Sequence, residues 1–248
     1  GGEQSTVRAH LAYRDGTASL DPFELDYLGG TLQSTVTVGL DESPSPITLG
    51  GELSNLELAQ LLGDFGSRPL VTGPLDAALD LRTTGPAPEA MASSLSGTVD
   101  LAVGRGEVGT SLINLAGENI VSWLFTSRGQ PELVCADGSI TFEAGVGTIE
   151  KLVIETESVQ IRGSGTLDLA ADRVSIDFVP RPLRRRLVEV VTPFAVEGRL
   201  SAPSVSTPST ARLTGRAVAE VVTLPVNLLT ALLPNGRSNR VPCTVESD

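Results

Sequence analysis

Between residues 139 and 200 apolar and polar residues alternate almost without a break, and this period of two is the feature that most constrains the fold. Ile140 and Phe142 alternate with Ser139, Thr141 and Glu143. Leu152 and Ile154 alternate with Lys151 and Glu155, and Val159 and Ile161 with Ser158, Gln160 and Arg162. The pattern continues through Leu167 and Leu169, through Val174, Ile176 and Phe178, and through Phe194, Val196 and Leu200. Successive strand residues point to opposite faces, so each run describes a strand with one apolar face. The separators Ala144 to Gly147, Arg162-Gly163-Ser164-Gly165 and Ala170-Ala171-Asp172 read as turns. They are far too short for parallel crossovers, which take a dozen residues or more, so the strands are antiparallel neighbours.

The N-terminal part repeats the theme. Val7, Ala9, Leu11 and Tyr13 lead into Asp15-Gly16, and Phe23, Leu25 and Tyr27 into Gly29-Gly30. Leu32, Val36, Val38 and Leu40 lead into the Pro44/Pro46 loop, and Ile47, Leu49, Leu53 and the run Leu75 to Leu81 follow. With 26 glycines and 16 prolines in 248 residues, many turns are expected. Four segments have helical character: Ser54-Asn55 through Leu62, Pro86 to Leu95, Ser111 to Phe125, and Thr210 to Leu233 with Pro225 breaking it. The expected fold is mainly β, a large curved antiparallel meander, groove or clam, with a few short helices. One domain over 1–248 is expected, with possible sub-units 1–53 and 54–248.

Composition excludes several functions. A net charge of −12 argues against nucleic acid as a partner. A single histidine, His10, removes most metal sites and His-based catalysis, and its place on the polar phase marks it as a solvated strand residue. Gly104-Arg105-Gly106-Glu107-Val108-Gly109 has the GxGxxG form, but no series of βαβ units accompanies it, so turn glycines are the better explanation. Gly163-Ser164-Gly165 lacks the strand-elbow-helix setting of a hydrolase nucleophile. The carboxylates Glu155, Asp168 and Asp177 fall on polar phases. No catalytic residue, metal or cofactor is expected, and the chain is read as a non-enzyme. It shows no signal peptide and no apolar run long enough to span a bilayer, and reads as a fragment of a larger protein.

A sheet with one apolar face needs a cover. Ten side chains left exposed, at ~1.5–3 kcal/mol each, would forgo on the order of 20 kcal/mol, beyond the ~5–15 kcal/mol net stability of a typical domain. Either the sheet folds over a dry core or an apolar trough remains, complementary to acyl chains; the alternation alone leaves both open. Cys135 and Cys243 are the only cysteines. A bridge between them would close a long loop and pin the C-terminal tail to the meander; two unpaired thiols are the alternative. Arg181-Pro182-Leu183-Arg184-Arg185-Arg186 is the one basic cluster, either a solvated loop or a contact for phosphate headgroups or acidic partners.

Taken in order, a set of degenerate motifs resembles the C-terminal domain of the AsmA family. They are Cys135-Ala136-Asp137-Gly138-Ser139-Ile140-Thr141-Phe142, Leu152-Val153-Ile154-Glu155-Thr156, Ile161 to Leu169 with its G-x-G-x-x-D-L form, Val174 to Arg181-Pro182, and Thr192-Pro193-Phe194-Ala195-Val196-Glu197-Gly198-Arg199-Leu200 with Pro203. Upstream, Leu28 to Leu32, the segment Leu56 to Leu62, Gly73-Pro74-Leu75 and Leu95 to Val99 resemble preceding parts of that domain. Three arginines follow Leu183 where the family often has a charged residue directly after Arg-Pro. The resemblance implies a periplasmic module of a protein anchored in the inner membrane through parts outside this sequence, in a family similar to bridge-like lipid-transfer proteins. It implies phospholipid acyl chains as ligand, with Ile140, Phe142, Leu152, Ile154, Val159, Ile161, Leu167, Leu169, Val174, Ile176 and Phe178 as lining and Arg181, Arg184, Arg185 and Arg186 as headgroup contacts. It also implies a Cys135–Cys243 disulfide. The alternative function is a structural module with a closed core that docks envelope proteins.

Overall fold

A computed structural model describes residues 5–60, 72–108, 132–157, 159–183, 193–206 and 243. The described residues form one antiparallel sheet of thirteen strands. They are β1 (Thr6–Arg14), β2 (Thr17–Tyr27), β3 (Gly30–Gly39), β4 (Pro46–Glu57), β5 (Pro74–Thr84), β6 (Ser96–Val103), β7 (Gly106–Glu107), β8 (Glu132–Glu143), β9 (Val146–Thr156), β10 (Val159–Asp168), β11 (Arg173–Pro182), β12 (Phe194–Arg199) and β13 (Ala202–Ser206). Neighbours in sequence are neighbours in space, except that the two-residue β7 hangs on β8 beside β6. The sheet is an open meander with β1 and β13 at its edges, and β4 runs across residues 53 and 54.

The tightest connections follow from turn chemistry. Asp15-Gly16, Leu28-Gly29 and Ala144-Gly145 each place two successive residues at positive φ (48° and 76°, 50° and 76°, 48° and 79°). Two consecutive left-handed residues make the two-residue hairpin whose twist matches that of its strands, and the second position falls to glycine because it has no Cβ to clash. The β10–β11 turn is held differently. Asp172 receives hydrogen bonds from Arg199 Nε (2.7 Å) and Ser201 Oγ (3.1 Å), and the hydrogen bond from Arg199 holds its carboxyl below the ordinary range.

Two expectations from the sequence are corrected. Arg162-Gly163-Ser164-Gly165 is no turn but the middle of β10, paired to β9 and β11 along its length. The glycines make room for neighbours: a Cβ on Gly163 would sit 2.6 Å from Leu152 Cδ2 and 3.0 Å from Phe178 Cε1, and one on Gly165 would run into the backbone of Ser175 and Ile176. Leu169 accordingly lies beyond the strand, in the turn after Asp168, where its amide donates to the Gly145 carbonyl at 3.0 Å. Likewise Ser54-Asn55 caps no helix. Strand β4 continues to Glu57 across a register slip between Leu53 and Leu56, with Asn55 at φ 56° and its amide donating to Asp76 Oδ1 at 2.7 Å. Among the described residues of that expected helix, 58–60 are helical, and 61 and 62 lie outside the described residues. The expected helix at Pro86 to Leu95 is present as Pro88–Ser94. Those at Ser111 to Phe125 and Thr210 to Leu233 lie outside the described residues.

Candidate functional site: the apolar face of the sheet

Antiparallel partners share a face, so strand register carries each side chain's orientation across the whole sheet. One row of partners runs Val7, Leu25, Leu32, Leu53, Ala77, Leu101, Gly138, Leu152, Gly163, Phe178, Phe194. The next runs Ala9, Phe23, Ser34, Gly51, Leu79, Val99, Ile140, Ile149, Gly165, Ile176, Val196, Val205. A third runs Leu11, Leu20, Val36, Leu49, Leu81, Gly97, Phe142, Gly147, Leu167, Val174. In these three rows Ser34 is the single polar side chain. Single-residue bulges re-phase the alternation in β2 between Leu20 and Phe23, and in β9 between Ile149 and Leu152. Without them half of each strand would present its polar residues to this face. The opposite face carries Arg8, Glu24, Glu52, Asp80, Asp100, Thr148, Arg162 and Asp177.

Ten of the eleven residues named as lining from the sequence lie on this one face by register; Leu169 is the exception. Burial divides the face in two. From β8 to β12 it is packed: Val159 (4% exposed), Ile161 (5%), Phe178 and Phe194 form a buried cluster, against which Leu152, Ile154, Ile176, Val196 and Val205 pack. The rings of Phe178 and Phe194 stack with centroids 4.9 Å apart. Phe142, Ile149 and Val174 are buried as well. The other face is buried over one part of β8–β10, at Val153, Asp137, Glu155 and Gln160, and is exposed along β11 at Ser175, Asp177 and Val179. The buried carboxylates there are partnered: Lys151 Nζ donates to Asp137 Oδ2 and Gln160 Nε2 to Glu155 Oε2, each at 2.7 Å. A buried polar group must find such a partner or cost its full desolvation.

From β1 to β6 the apolar face is different. Of the three rows, none of the side chains contributed by these strands is buried; they are half-exposed or exposed. Leu11 is 74% exposed, Tyr13 63% and Val7 58%. These N-terminal residues share the alternation, yet the sequence singled out only the C-terminal set. The C-terminal set stands out because its runs are cleanest, and clean alternation identifies a face without identifying what covers it.

The remaining named residues are placed as follows. Cys135 and Cys243 form a disulfide, with Cys135 buried beside Glu155 on the polar face. Arg181 is exposed on the polar face, opposite Gln160 across the β10–β11 pair; Arg184, Arg185 and Arg186 lie outside the described residues. His10 is exposed on the polar face, its Nδ1 3.2 Å from the Asp21 carbonyl oxygen. Gly104 precedes β7 and Gly106 opens it, and a Cβ on them would strike Pro74 and Thr72; they permit close strand approach. Among the described residues no group of His, Cys, Asp and Glu could hold a metal ion, and no helix is long and apolar enough to cross a membrane.

The architecture is that of an open β-meander with an apolar face that its own described strands cover only in part. Residues 4–152 match the family model described as AsmA family, and the chain belongs to that family. It is also 21% identical over 244 residues to the AsmA family protein YhjG of Escherichia coli (strain K12), an alignment covering 95% of this chain and 36% of that protein. The chain thus spans about a third of the relative's length. The family match holds the upstream motifs and the Cys135 to Phe142 run, while Ile161 to Leu169 and Thr192 to Leu200 lie beyond it. No solved structure matches.

Proposed function

We propose that the apolar face of β1–β6 binds phospholipid acyl chains, and that the chain is a non-catalytic lipid-handling module of the bacterial envelope. The observation that carries this reading is the exposure of rows built almost wholly from Val, Leu, Phe and Ala. About ten such side chains left half exposed forgo on the order of 10 kcal/mol, and contiguous exposed apolar surface of this kind marks a binding site in a stable protein. Dimensions agree. Six strands spaced ~4.8 Å apart span about 24 Å, more than the ~15 Å of one leaflet in a ~30 Å hydrocarbon core. AsmA family proteins are envelope-associated, which supports a periplasmic setting for such a face and membrane contact through other parts of a longer protein. Arg181, on the polar face of β11, stands on the opposite face and takes no part in this reading.

Native mass spectrometry of protein purified from cells tests it. Co-purified phospholipid is expected, and Leu49→Asp with Leu79→Asp should abolish it while the chain stays folded. Lipid-free wild-type protein that takes up no fluorescent phospholipid from vesicles would end the reading. A second reading, a structural module that docks envelope proteins, is favoured by one observation: over β8–β10 both faces carry buried side chains, as in a dry core.

A further inference from the structure

We infer that the helix Pro88–Ser94 is a hinged cover over one end of the apolar face, latched through Ser94, and that its release admits acyl chains at that end. The inference rests on the lipid reading above and adds its regulation.

The helix lies between β5 and β6, at the strand ends where most connections are short. Thr83 pairs with Ile47, so its side chain stands on the apolar side at the end of β5. From there its hydroxyl donates to the Met91 carbonyl at 2.6 Å and lies 2.9 Å from Ser94 Oγ. The helix is therefore drawn over the apolar side. At ~1.5 Å rise per residue its seven residues reach about 10 Å, two strand spacings. The same C-terminal turn also meets the β8–β9 turn, where the Gly145 amide donates to the Leu95 carbonyl at 2.8 Å and a Cβ on Gly145 would strike the helix backbone at Ala92 and Ser93. The cover thus reaches from β5 to the turn that opens the packed half of the sheet.

Its attachment is local and polar. The helix buries no residue, and Ala87 at its N-cap supplies no capping side chain. A seven-residue helix is unstable alone and takes its stability from packing, so one with no buried side chain opens at low cost. Ser94 Oγ holds it: it accepts from the Thr84 amide at 2.9 Å and lies 2.7 Å from the Thr84 carbonyl, in addition to Thr83. Glycines at unusual φ stand on both sides, Gly85 at 127° and Gly97 at 128°. Only glycine adopts that conformation readily, so the segment can turn at Gly85 as at a hinge, while Gly97 is held inside β6 between Leu81 and Phe142 and stays fixed.

The test combines hydrogen exchange with loading of fluorescent phosphatidylethanolamine from vesicles, comparing wild type with Ser94→Ala. Loss of the latch is expected to speed amide exchange over 88–96 at least tenfold. The initial loading rate should rise several-fold, with the final amount of bound lipid unchanged. Faster exchange with an unaltered loading rate would overturn the cover while wild-type loading keeps the lipid reading intact; unaltered exchange would overturn the latch itself. Wild-type protein that loads no lipid removes both. Should Ser94→Ala fail to fold, Thr83→Val, which removes only the bonds to Met91 and Ser94, is expected to give the same direction in both readouts.

Discussion

Replacing Phe178 with Ala is expected to lower the free energy of unfolding by about 3–5 kcal/mol, the range for truncating a buried aromatic. Phe178 sits in the row where Gly163 leaves it room, stacked on Phe194 and enclosed with Val159 and Ile161. Truncation removes the ring's transfer energy, breaks the stack and leaves a cavity that a regular sheet with fixed strand spacing closes poorly. Against a total of ~5–15 kcal/mol this is a large part of the whole. The same kind of truncation on the open half, Leu79→Ala, removes a half-exposed side chain and should cost well under half as much. Urea denaturation of both variants checks the contrast. Equal losses would show that β1–β6 is as closely packed as β8–β12.

The second large effect belongs to the disulfide. Cys135 and Cys243 are 108 residues apart, and in the chain-entropy model a cross-link closing a loop of that length stabilises by about 4–5 kcal/mol through the unfolded state. The double variant Cys135→Ser/Cys243→Ser is therefore expected to unfold at markedly lower denaturant, with a loss in that range. Cys135 is buried beside Glu155, so removal of the bridge also loosens the ground on which the buried pairs Asp137–Lys151 and Glu155–Gln160 rest. Under reducing conditions the native protein should approach the variant's stability. A loss below 1 kcal/mol would place the stability of this half in its strands alone.

The strands were legible because their alternation survives even through short connections, and the hairpins because each carries a glycine where the turn needs a left-handed residue, at Gly16, Gly29 and Gly145. What misled was glycine read one way only. In Arg162 to Gly165 it signals crowding across a continuous strand, since the missing Cβ makes space for Leu152 and Phe178; nothing local separates that role from a turn. Asn55 misled similarly, because a polar residue at positive φ inside a register slip resembles the start of a helix. The candidate face was readable as a phase, and ten of the eleven named residues share it. Its division into a packed and an open half was not, because exposure is decided by what lies over a face, a long-range fact that no strand's own residues record. The Ser94 latch was equally hidden: its partners Thr83 and Thr84 become neighbours only once the helix folds back over β5.

The most direct measurement places a photoreactive amino acid at single positions of the chain in living cells and asks which ones cross-link phospholipid. Leu49 and Leu79 on the apolar face, paired with Thr48 and Asp80 one residue away on the other, make the comparison independent of location in the sheet. The lipid account predicts adducts at Leu49 and Leu79 and none at Thr48 and Asp80. Adducts at neither pair, or protein adducts at Leu49 and Leu79 in place of lipid, would contradict it.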